Sequence, residues 1–180
     1  VQGTASLLDA GDAFQSGDVL GGLTSLQAAR GSFGKSVTNC FAAGTPVGME
    51  LGRKAIEEIH AGDGLLAIDE HDPSGKVRVR EVVQTFVRVA PIWELYAGKQ
   101  VVRSTAEHPF YVQGKGWTAL AEIRAGDQLR TGEGGWIRCD GVEDTKRTES
   151  VYNVEVAGDH TYFVGDPVTW GFSLWTHNYN

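Results

Sequence analysis

The chain has 180 residues, 41% of them hydrophobic and 22% charged, enough to bury one ordinary core with a small appendage beside it. Its 23 acidic and 16 basic residues leave a net charge of -7 with no basic block, which argues against a nucleic-acid partner. No apolar stretch approaches the roughly 20 residues needed to span a bilayer, and the first 25 residues lack the basic start and unbroken apolar run of a signal peptide, so no membrane partner is expected either.

Residues 1–35 read as helical. Leu7, Leu8, Ala10, Ala13 and Phe14, then Val19, Leu20, Leu23 and Leu26, fall at spacings that suit two short amphipathic helices. Asp18 can cap the second, while Gly21 and Gly22 weaken it. The following "GSFGKSVTN" is small and polar, the composition of an exposed linker. Residues 1–39 are therefore expected to form a helical flanking segment and linker, and residues 40–178 the main domain.

From Cys40 onward the pattern turns to β. Twenty-four glycines against five prolines, with frequent turn signals, favour many short strands. Candidate strands are "RVREVVQTFVRV" (78–89), "WELYA", "KQVVRST", "HPFYV", "GWIRCDGV", "SVYNVEV" and "HTYFVG", and an all-β domain follows. Within it, "AIEEIHAGDGLL" (55–66) returns as "ALAEIRAGDQLR" (119–130), seven identities in twelve at an offset of 64. Each copy reads as a short helical turn, a Gly-Asp turn and a strand. Two copies of one unit imply approximate two-fold symmetry, each covering the other's apolar face.

Three stretches carry reactive side chains. Cys40 opens the β-domain, where its thiol can reach the carbonyl of Asn39 and exchange a peptide bond for a thioester. That exchange is uphill and needs a general acid, with junction strain of roughly 1–3 kcal/mol. The alternative is an ordinary packed cysteine, the role expected for Cys139 in "WIRCDGV". His108 precedes a proline, which holds it extended and fixes the direction of its ring, and imidazole titrates nearest neutrality. The alternative is a strand-end histidine satisfying a carbonyl. Asn178, in "WTHNYN", can attack its own main-chain carbonyl and close a succinimide, a ring closure that gains roughly 7–11 kcal/mol from held geometry. His177 is placed to donate a proton there and His160 to accept one; the alternative for Asn178 is a turn or cap.

In order along the chain, "CFAAGTPV", "TAEHPF", "VYNVEVAGDHTYFV" and "THN" resemble the opening, Thr-x-x-His and closing blocks of the Hint superfamily of inteins, hedgehog autoprocessing domains and bacterial intein-like domains. The sequence is most similar to the pretoxin type of bacterial secreted polymorphic toxins. The resemblance covers residues 40–178 and implies a horseshoe of short β-strands with pseudo-two-fold symmetry. It also implies that Cys40 is the N-terminal nucleophile, that Thr105 and His108 activate it, and that His160 and His177 assist Asn178, the cyclising residue.

Two departures shape the expected activity. Splicing members carry Cys, Ser or Thr directly after the terminal Asn, whereas this chain has Tyr179, a poor acyl acceptor. They also often carry Asp where Asn153 stands, and an amide there cannot take a proton. The expectation is therefore cleavage at Asn39–Cys40 and Asn178–Tyr179 without joining, by a monomer needing no cofactor or metal. Its partners would be its own flanking polypeptides: residues 1–39 as the end of a delivery portion of a secreted or cell-surface precursor, and a C-terminal toxin starting at Tyr179. His60 and His71 make no metal-ligand spacing with the cysteines and are expected to be exposed. Two other classes stand beside this reading: a cysteine peptidase acting in trans through Cys40 and His108, and a catalytically silent β-module. Sterol transfer lacks a following extension, and the interval from His108 to Val151 is too short for an embedded endonuclease.

Overall fold

The computed structural model describes residues 38–178, so the helical segment expected over residues 1–35 lies outside the described residues, as does Tyr179. Twelve strands hold more than half of the described residues: β1 (Phe41–Ala42), β2 (Pro46–Gly48), β3 (Arg53–Ala55), β4 (Gly64–Ala67), β5 (Arg78–Ala97), β6 (Gln100–Ser104), β7 (Pro109–Val112), β8 (Gly116–Ala119), β9 (Gln128–Arg130), β10 (Trp136–Val156), β11 (Thr161–Asp166) and β12 (Phe172–His177). All pairings between them are antiparallel, in the order β3-β2-β11-β12-β7-β9-β10-β1-β6-β5-β4, with β8 beside β7 and a further pairing of β10 with β5. The all-β expectation holds.

The frame is the pair β5 and β10, 20 and 21 residues long, registered from Cys139 opposite Ala97 to Val156 opposite Val82. The sequence pattern divides each into two strands, at Pro91 and at the polar run "EDTKRTES". Both divisions are bridged. Pro91 lies opposite Thr148, and the polar run is taken up by a register shift between Asp144 and Arg147, where Lys146 adopts a φ of 59°. Strand β12, "FSLWTH", lacks the alternation that marks a half-buried strand, because all six of its residues are buried.

The sequence repeat is a structural repeat. Ile56–Glu58 and Leu120–Glu122 each form one 3₁₀ turn between short strands. The turn that follows is built identically in both copies. Gly62 and Gly126 take φ values of 91° and 96°, a region open to glycine, and their N–H groups donate at 2.8 Å to Val82 and Cys139 on the two long strands. Asp63 accepts the His60 N–H and the Lys54 ammonium; Asp127 accepts the Arg124 N–H and the Lys115 ammonium. The largest buried apolar cluster contains Ile56 and Ile59 of one copy and Leu120 and Ile123 of the other, together with the fully buried Phe41, Leu95, Phe110, Leu129, Tyr162 and Leu174.

Candidate active site

Strand β1 is only two residues long, yet it is wedged between two partners: Phe41 registers with Tyr152 of β10 and with Ser104 of β6. Cys40, just before it, is consequently completely buried. Its carbonyl accepts the Thr105 N–H at 3.0 Å and the Ser104 hydroxyl at 2.7 Å. Its own N–H donates to Thr105 Oγ1 at 3.0 Å, and that hydroxyl donates onward to the Thr38 carbonyl at 2.8 Å. Thr105 therefore spans the Asn39–Cys40 peptide, touching the residue on either side of Asn39, which is itself buried.

Burial pushes the Cys40 thiol above its ordinary range; the Arg88 guanidinium beside it pulls in the opposite direction, and the Glu107 carboxylate adds slightly to the rise. Arg88 reaches the junction from β5 and donates to the Thr38 carbonyl, while its Nε is buried without a hydrogen-bond partner. Thr38, Arg88, Trp93, Thr105, Glu107 and Asp144 line a cleft of about 320 Å³ at this junction.

His108 is fully buried, with its ring 4.0 Å from that of Phe41. Desolvation lowers its pKa to about 3; the nearby Cys40 main chain pulls weakly upward and the charge of His177 weakly downward. Neither ring nitrogen closes a hydrogen bond of good geometry. Burial thus holds the proton affinity of His108 far below that of a free imidazole, and no carboxylate is among the groups acting on it.

At the other junction, Thr161 of β11 registers with His177 of β12, and the ladder closes with the Asn178 N–H donating to the His160 carbonyl at 2.9 Å. The Asn178 carboxamide nitrogen donates to the Val154 carbonyl at 3.1 Å, while its Oδ1 is buried without a hydrogen-bond partner. The rings of His160 and His177 stack at 6.5 Å, and His160 holds a φ of 53°, uncommon outside glycine. Next to it, Asp159 is clamped by Arg78 and Arg80. His177 Nε2 is hydrogen-bonded to the Glu70 carboxylate.

The two junctions are linked through the pairing of β12 with β7. Thr176 of β12 pairs with Phe110 of β7, and the charge of His177, the next residue of β12, acts on the ring of His108, two residues before Phe110. Phe41, next to Cys40, registers with Tyr152, next to Asn153, and Val154 beyond it supplies the carbonyl that holds Asn178. Asn153 is buried, and its Oδ1 accepts the Tyr162 hydroxyl at 3.0 Å. Cys40 is hydrogen-bonded to Thr105, its main chain and the charge of His177 both act on the His108 ring, and Asn178 is held by the His160 and Val154 carbonyls. His60 and His71 are exposed, and Cys139 is a buried free cysteine on β10.

Sequence reasoning missed Arg88, Ser104, Tyr162 and Glu70. Ser104 directly precedes the Thr-x-x-His block and Tyr162 lies inside the closing block "VYNVEVAGDHTYFV", which are the local signals. Arg88 and Glu70 arrive from β5 and the loop after β4, and nothing in their own neighbourhoods marks them.

Residues 47–179 match the pretoxin HINT domain family, and the chain belongs to that family. The matched stretch begins after Cys40 and includes Thr105, His108, His160, His177 and Asn178. Among solved structures, a bacterial intein-like domain from Clostridium thermocellum is 32% identical, over 77% of this chain and 98% of that one, with a TM-score of 0.68. A DnaB intein from Synechocystis (17% identity, 79% and 99% covered, TM-score 0.67) and the gp41-1 intein (21% identity, 78% and 98% covered, TM-score 0.62) share the fold. No curated protein matches the chain. The protein is an intein-like Hint domain of the pretoxin type, a class that sits between flanking polypeptides in a precursor.

Proposed function

We propose that this domain cuts its own chain at both junctions, without joining the flanks. Support comes chiefly from one observation: the Thr105 hydroxyl accepts the Cys40 N–H and donates onward to the Thr38 carbonyl, so a single side chain brackets the Asn39–Cys40 peptide.

At the first junction Cys40 starts as a thiol, since burial disfavours the thiolate. Neutral His108 takes the thiol proton as sulfur attacks the Asn39 carbonyl carbon. The C–S bond forms, the C–N bond to Cys40 breaks, and the imidazolium returns its proton to the departing nitrogen. The proton balance closes within the pair, leaving a thioester on Asn39 and a free amine on Cys40. Water then hydrolyses the thioester and restores the thiol. Thr105 and Arg88 hold the upstream chain through the Thr38 carbonyl.

At the second junction the Asn178 carboxamide nitrogen attacks its own carbonyl carbon, closing a five-membered imide as the bond to Tyr179 breaks. His160 accepts the proton lost from the carboxamide, and His177 supplies one to the Tyr179 nitrogen. The released piece is the C-terminal flank, in a toxin precursor the effector. Complete burial of Cys40 disfavours a peptidase acting in trans, which would need an accessible sulfur.

The test is a chain tagged at both ends, followed by intact mass beside Cys40→Ala, His108→Ala and Asn178→Ala. The first two changes should stop only N-terminal scission and the third only C-terminal release. A chain that keeps one mass at every pH and thiol concentration would instead be a silent β-module.

A further inference from the structure

Glu70 belongs to none of the sequence blocks, yet its carboxylate ends on the imidazole that precedes the C-terminal junction. After β4 the chain is pinned at Ile68, whose N–H donates to Thr161 Oγ1 at 3.2 Å and whose carbonyl accepts that hydroxyl in return. Thr161 is the β11 residue registered with His177. Two residues on, the Glu70 carbonyl accepts the Trp117 indole N–H at 3.2 Å, and the Glu70 carboxylate meets His177 Nε2. The ring of Trp117 stands edge-on to that of His177 at 5.0 Å. Glu70 is thus held at both its main chain and its side chain, against an imidazole whose exposure is only 3%.

A carboxylate fixed on one ring nitrogen keeps the proton on that nitrogen and orients the ring. We infer that Glu70 is a positioning residue for C-terminal release, holding Nε2 of His177 as a protonated nitrogen and fixing the plane of the ring that precedes the Asn178 peptide. This rests on the cyclisation reading above.

The groups facing His177 oppose one another. Burial lowers its proton affinity most, Glu70 raises it, and the imidazoles of His160 and His71 lower it again when charged. His71 comes from the same loop as Glu70, His160 from the turn before β11, and His108, whose ring also senses His177, from the start of β7. Glu70 alone among these stabilises the imidazolium. Glu70→Gln keeps the shape and removes the charge. The midpoint of His177 therefore moves down, the charged fraction near neutral pH falls, and release there slows about tenfold, with the loss shrinking as pH is lowered.

Two measurements test this. The first follows the ring nitrogens of His177 by NMR across pH in an intact chain carrying both Cys40→Ala and Asn178→Ala, with and without Glu70→Gln. A lower midpoint and a weakened Nε2–H preference are expected; an unchanged midpoint and tautomer overturn the inference whether or not the chain cuts itself. The second compares release of the Tyr179 flank with pH in the unaltered and Glu70→Gln chains. A profile displaced toward acid supports the role, while an unmoved profile, or a loss equal at every pH, overturns it. Failure of the cyclisation reading looks different: the unaltered chain releases nothing, or Asn178→Ala still releases its flank.

Discussion

Thr105 holds the Cys40 peptide from its nitrogen side, accepting that N–H at 3.0 Å while its own proton is directed 2.8 Å away to the Thr38 carbonyl. The hydroxyl uses both its acceptor and its donor capacity on one short stretch of main chain. Thr105→Val keeps the side-chain volume and leaves the buried Cys40 donor unpaired, at a cost of roughly 1–3 kcal/mol in stability. N-terminal scission should slow about tenfold to a hundredfold, with C-terminal release unchanged. Release of the two tags, timed by intact mass, reads both numbers; equal slowing at both ends would mean a general loosening.

The buried imidazole of His108 carries a pH signature of its own. Its pKa is about 3 when folded against 6.5 unperturbed. Between those values the unfolded chain binds a proton that the folded chain refuses, so its stabilising contribution is fully present above the upper value and is lost as pH falls toward the lower one. Urea midpoints should drop between neutral pH and about pH 4, and His108→Gln should flatten that drop. His177, also held down by burial first, leaves a residual slope in the same direction.

Arg88 opposes the burial that holds the Cys40 thiol up. In Arg88→Gln the thiol moves further up and less of the sulfur is nucleophilic, so N-terminal scission near neutral pH should fall about tenfold and recover as pH is raised. Arg88→Lys, which keeps the charge without the planar fork, should fall between the two. Thiol alkylation rates across pH in a His108→Ala background give an independent reading of the Cys40 midpoint.

Tyr162 donates to Asn153 at 3.0 Å in a fully buried setting, and the Asn153 Nδ2 is already without a hydrogen-bond partner. Tyr162→Phe should therefore destabilise the fold by roughly 1–3 kcal/mol, because the Asn153 carbonyl is then stranded too. Chemical denaturation of a chain carrying both Cys40→Ala and Asn178→Ala measures it without interference from cleavage.

What could be read in the sequence was what is written locally. The Gly62-Asp63 and Gly126-Asp127 turns announced themselves because each needs a glycine at positive φ and a carboxylate capping the preceding turn, and the chain spells this twice. The direction of the chain at His108 was set by Pro109. Strand β12 was not legible, since a strand buried on both faces has no alternation to display. Nor were Arg88 and Glu70. Arg88 looks like any outward residue of an alternating strand, and Glu70 like part of a polar turn; only the pairing of β5 with β10 and the pinning of Ile68 to Thr161 bring them to the junctions. The neutrality of His108 was hidden for a related reason, since desolvation depends on everything packed around a ring.

Both proposed cuts fall outside all twelve strands: Asn39–Cys40 precedes β1, and Asn178–Tyr179 follows β12. Scission would then detach the flanks without subtracting a single rung from the ladder. The spent domain would outlive its single turnover as an intact folded by-product, and its resistance to heat or protease before and after the event should be nearly the same.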